Sequence, residues 1–161
     1  MALTGSIAAI YITDRASAPM TKVRQIKAMA GQGIEGDRYF LGAGTYSKKP
    51  EPGRQITLIK SEVLRWLNDE FKINVNPEES RRNVLTQDIE INELVGTDFF
   101  AGPVLLRAHR ITQPCRYLEK LIDRPGLYKA LWDNGGISCE ILSDGIIRQG
   151  DSIITKTNDI S

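Results

Sequence analysis

The chain has 161 residues, the length of one domain able to bury its own core, and is read as a single domain over 1–161. Its 21 Lys and Arg against 20 Asp and Glu leave a formal net charge of +1, so no global field recruits nucleic acid or an anionic membrane, and any anion site must be local. Two cysteines are too few for a disulfide scaffold and form no Cys-x-x-Cys motif; with no basic leader and no membrane-length apolar run, the expected location is the cytoplasm.

In chain order, residues 7–12 read as a first strand, and 23–29 alternates apolar with polar residues as a half-buried second strand should. Residues 31–53 form a long glycine-bearing irregular stretch of the kind that serves a site. Its Gly31-Gln32-Gly33 start is no dinucleotide fingerprint, because no helical periodicity follows it. Residues 55–59 read as a strand, followed by Ser61 as an N-cap and a helix whose apolar face carries Val63, Leu64, Leu67 and Phe71. Strands at 98–100 and from 104 through His109 towards Cys115 flank the turn Ala101-Gly102-Pro103. Two short helices then follow, separated by Pro125-Gly126. Ile137, Cys139 and Ile141 alternate with polar residues, Ser143-Asp144-Gly145 turns the chain, and Ile146-Ile147 resumes, predicting a β-hairpin with Cys139 on its core face. Many short strands with few helices favour a mixed, β-rich α+β fold, a closed or strongly curved β-barrel with a few peripheral helices.

Cys115 is the first candidate for chemistry. Pro114 suits the first turn of a helix, which would set Cys115 among free amide donors at the positive dipole end and favour thiolate over thiol. Such a thiolate attacks electrophiles, carries a sulfane sulfur or ligates a soft metal; the competing reading is a small buried hydrophobe. Arg81-Arg82-Asn83 combines two guanidinium forks and an amide, suited to phosphate or carboxylate, unless the arginines only pair with Glu78 and Glu79. Glu35-Gly36-Asp37-Arg38 is either a charged turn or a loop presenting polar groups to a ligand. His109, the only histidine, lies in a strand-like run without a Ser-His-Asp signature and reads as structural.

Gly33-Ile34-Glu35-Gly36-Asp37-Arg38, residues 54–59, Arg81-Arg82-Asn83, Leu94-Val95-Gly96 and Pro114-Cys115 occur in the order of one family, and the pattern extends through Gly135-Gly136-Ile137 to Gly150-Asp151. In these motifs the chain resembles a MOSC domain, the C-terminal domain of molybdenum cofactor sulfurases, of the small free-standing bacterial type. The resemblance implies a β-rich barrel with peripheral helices. It implies that Cys115 is the catalytic cysteine, either holding a persulfide sulfur for the cofactor or ligating molybdenum in a reductase of N-hydroxylated compounds. It also implies cofactor binding by Arg81, Arg82 and Asn83, and by the motif Glu35, Gly36, Asp37 and Arg38. Molybdopterin carries a phosphate and a dithiolene, so an arginine pair and a soft thiolate suit it. The chain has no room for the pyridoxal-phosphate desulfurase domain of the larger sulfurases, so a sulfur-donating or electron-donating protein is the expected partner. The alternative is a non-catalytic module that binds an anionic ligand or a partner and whose cysteine is structural. An edge strand, or the apolar residues around Trp132, offers a surface for an oligomer.

Overall fold

The computed structural model describes residues 3–48, 51–112 and 116–156. Cys115, with Pro114 beside it, lies outside the described residues. Alternating apolar positions give the strands β1 (Thr4–Ile12), β2 (Thr21–Val23), β3 (Gln25–Met29), β4 (Gly33–Ile34), β5 (Ile56–Lys60), β6 (Val84–Gln87), β7 (Asp98–Ala101), β8 (Val104–Ile111), β9 (Ile137–Ile141), β10 (Gly145–Arg148) and β11 (Ser152–Thr155). Three α-helices interrupt them, α1 (Ser61–Phe71), α2 (Arg116–Leu121) and α3 (Leu127–Ala130), with short 3₁₀ helices at Pro52–Arg54, Pro77–Ser80 and Ile91–Leu94.

Seven strands close into a barrel in the order β1, β11, β7, β8, β9, β5, β6 and back to β1. This is the closed, β-rich architecture expected from the strand tally. β5 and β6 are its parallel neighbours, and α1 supplies the crossover that a parallel pair requires. One face of the barrel strands carries Ile10, Ile56, Leu58, Phe99, Leu106, Ile137, Cys139 and Ile153 into a continuous core. The other face of β1, β5 and β6 presents Ala9, Tyr11, Ile59 and Leu85 to a second cluster with Leu64 and Leu67 of α1, Leu118 of α2 and Leu127 of α3. The helices therefore cover one side of the barrel. Cys139 sits in the core as its alternation predicts, and burial pushes its thiol far above the ordinary cysteine value.

Three local expectations are corrected. The run 23–29 is not one strand: the chain bends at Arg24, so that β2 pairs with β1 of the barrel while β3 pairs with β10 and β4 in a separate three-stranded sheet. The alternation was correct, but a change of partner sheet leaves no mark on it. For the same reason β9 and β10 are no hairpin. β9 pairs with β8 and β5, and β10 crosses to β3, so the Ser143-Asp144-Gly145 turn joins two sheets. In α1, Ser61 is the first helical residue and Lys60 the cap; Val63, Leu64 and Leu67 are buried, but Phe71 is 49% exposed and packs edge-on against Trp66. Among the described residues no helix is long and apolar enough to cross a membrane.

Candidate functional site

The site begins with a break in strand alternation. β8 pairs with β9 through Ala108 and Cys139, then through Arg110 and Ser138, so His109 is an extra residue in a β-bulge. Ala108 and Cys139 face the core. One inserted residue turns Arg110 to the opposite face, level with Ser138, which in turn lies opposite Thr57 of β5. Thr57, Ser138 and Arg110 therefore form a row across three adjacent strands, a polar floor on the outer face of the barrel.

Arg38, Arg54 and Arg82 converge on this floor with Tyr39, Tyr46 and Thr112, enclosing a cleft of about 300 Å³. Thr112 Oγ1 lies 2.6 Å from Ser138 Oγ, which ties the end of β8 to the floor. Each arginine is aimed by a fixed contact. Arg82 Nε donates to Gly135 O at 2.7 Å, and the adjoining Gly136 passes so close to β5 that a Cβ there would sit 2.0 Å from Leu58 O. Arg38 is nearly buried; its Nη1 donates to Asp37 Oδ1 at 3.2 Å and its Nη2 to Arg81 O at 3.0 Å. The Arg54 guanidinium lies over the Tyr46 ring at 4.9 Å. Arg81, in the left-handed backbone region at φ 65°, lines the adjoining recess with Arg82, Thr112, Tyr117 and Leu118, and its Nη1 donates to Ala18 O. Burial, and then the neighbouring Arg38 charge, pull its pKa below the usual guanidinium value.

Asp37 pairs with Arg38, and Glu51 with Arg54 and Arg110. The cleft is a local cationic site in a nearly neutral chain, as the charge balance required. Guanidinium forks beside three hydroxyls suit a phosphate or carboxylate that accepts several hydrogen bonds.

The candidate residues separate into roles. Arg82 and Arg38 line the cleft, and Arg81 the recess beside it. Asn83 is 1% exposed and lies behind the floor: its Oδ1 accepts from Thr57 N at 3.1 Å and its Nδ2 donates to Tyr11 O at 3.2 Å, stapling β5 to β1 at the entry to β6. Asp37 is fully buried beneath Arg38, where Oδ1 also accepts from Thr13 N at 3.2 Å, and Oδ2 has no partner among the described residues. Glu35 is exposed and 3.8 Å from Lys27, and Gly36 borders a different hollow beside Thr13 and Asp14. Glu79 pairs with Arg124 at 3.1 Å. His109 Nε2 contacts Glu140 Oε1 at 2.9 Å, away from the cleft. Thr57, Arg110, Thr112 and Ser138 were not anticipated. Only the alternation of β5 and β9, which sets Thr57 and Ser138 opposite their apolar neighbours, carried a trace of them. No group of three or more His, Cys, Asp or Glu suited to a metal occurs among the described residues. Cys115 lies outside them, while Thr112 and Tyr117, the nearest described residues lining the site on either side of it in sequence, border the recess.

The family model for the MOSC domain matches residues 45–154, a span that includes Arg81-Arg82-Asn83 and Cys115 but not the 33–38 motif. YuaD from Bacillus subtilis has a similar structure, with a TM-score of 0.80 at 20% identity over 98% of this chain and 99% of that one. YiiM from Geobacillus stearothermophilus gives 0.72 at 16% identity over 98% and 77%, and YiiM from Escherichia coli 0.67 at 16% over 95% and 70%. At these identities the likeness establishes the fold. No curated protein sequence matches the chain.

Proposed function

Because the chain belongs to the MOSC domain family, which is associated with the molybdenum cofactor, we propose that the arginine cleft binds that cofactor by its phosphate and that Cys115 meets its metal centre. One observation carries the reading: Arg38, Arg54, Arg82 and Arg110 converge over a hydroxyl floor, and residues flanking the Cys115 segment border the same place. The donors present fit the group. Arg82 and Arg110 would take the phosphate as bidentate forks, Arg38 and Arg81 would neutralise its remaining charge, and the Thr112 and Ser138 hydroxyls would rotate to fill its other lone pairs. Tyr39 and Tyr46 would flank the bound molecule and exclude water. Cys115 would supply the soft protein ligand, because a cysteine thiolate suits a soft metal centre.

The bound molybdenum centre would supply two-electron chemistry, which fits a reductase of N-hydroxylated compounds with an electron-donating protein as partner. Cys115 as transient carrier of a sulfane sulfur from a donor protein is the other outcome the experiment distinguishes. Protein expressed where the cofactor is made is analysed for elements and by intact mass, wild type against Cys115→Ala. Molybdenum in the wild type alone identifies a ligand, and one extra sulfur atom on Cys115 identifies a carrier. Absence of both signals overturns the proposal and leaves an anion-binding module with an inert thiol.

A further inference from the structure

Glu51 lines a hollow of about 370 Å³ that opens beside the cleft and shares Tyr39, Tyr46 and Arg54 with it. Its Oε1 lies 3.6 Å from Arg54 Nη2 and its Oε2 3.3 Å from Arg110 Nη1. One carboxylate thus spans two arginines that reach the cleft from separate elements, the disposition an incoming anion would take. The Glu51 side chain is half exposed, and each such pair is individually weak, so an external anion competes for the same donors on workable terms.

The competition is not equal for all anions. A tethered carboxylate acts at an effective concentration of roughly millimolar or more, which a singly charged carboxylate from solution overcomes poorly. A phosphate monoester brings close to two charges and three acceptor oxygens. We infer that Glu51 is an internal competitor that sets the affinity threshold of the cleft: it holds Arg54 and Arg110 together, and an anion must displace it, so a phosphate dianion with its greater intrinsic affinity clears the threshold where a carboxylate monoanion falls short. This rests on the cleft being the phosphate site.

The test titrates the full chain with phenyl phosphate and with benzoate. Glu51→Gln binds phenyl phosphate ~3–10-fold tighter than wild type, the value expected for releasing one or two weak pairs, and gains a comparable factor for benzoate, because both ligands are relieved of the same displacement cost. Glu51→Ala gives the same ranking. Glu70→Gln removes an exposed carboxylate on α1 that lines neither hollow and changes phenyl phosphate binding less than about twofold, since distant exposed charges are screened. Unchanged or weaker binding by Glu51→Gln overturns the inference, because Glu51 then only positions the arginines. An equal gain in Glu70→Gln overturns it too, by reducing the effect to net charge. Phenyl phosphate binding by the wild type with no gain in the variant sinks this inference alone. Binding by neither protein sinks the phosphate reading of the cleft with it.

Discussion

Asp37 and Arg38 are adjacent in sequence but unequal in function. The arginine reaches the cleft, and the carboxylate lies beneath it, accepting from Thr13 N while holding the guanidinium at 3.2 Å. Truncating one partner of a buried ion pair strands the other, so Asp37→Ala should lower the unfolding free energy by about 3–5 kcal/mol, measured by chemical denaturation. Glu35→Ala, whose carboxylate stands in solvent 3.8 Å from Lys27, should change it by less than about 0.5 kcal/mol. The two cysteines divide in the same way. Burial holds Cys139 as an inert thiol, so alkylation of the folded protein near neutral pH should label Cys115 alone, and unfolding should expose the second site; peptide mass analysis reads both. Cys139 was legible as core because Ile137 and Ile141 share its face. The separate roles of Glu35, Asp37 and Arg38 were not, because a turn gives no period from which to read which side chain turns inward.

At the scale of elements, α1 shows how far a periodic pattern reaches. Its apolar spacing located the helix and its buried stripe, but Phe71 at the last position is 49% exposed, beyond the barrel surface that the stripe covers. Leu67→Ala should cost about 2–5 kcal/mol in chemical denaturation, since Leu67 is fully buried, whereas Phe71→Ala should cost well under half of that. The bulge in β8 is the element-scale event on which the cleft depends. Without His109 as an extra residue, Arg110 would point into a core of Cys139 and Ile141 instead of standing beside Ser138. Bulges and changes of partner sheet are settled by pairing, which explains why the bent run 23–29 and the separated β9 and β10 were read as simpler elements.

Over the whole molecule, closure of the seven-stranded ring brings together floor residues from β5, β8 and β9, Arg82 from the entry to β6, and Arg38 and Arg54 from the long glycine-bearing stretch. Phosphate binding in such a half-open cationic cleft should weaken steadily with added salt, while unfolding stability, which rests on buried strand faces, should not; titrations across a salt series with parallel denaturation curves test this. Composition and alternation alone determined a β-rich fold, a buried Cys139 and the need for any anion site to be local, because hydrophobic period and net charge are properties of the chain. The ordered motifs identified the family and two of the cleft arginines. Only the tertiary structure decided that Asn83 and Asp37 act from behind the cleft, that Arg54 and Arg110 belong to it and that Glu51 bridges them. Those facts depend on strand register and on ring closure, and both are fixed by contacts between residues far apart in sequence, whose pairing no local pattern records.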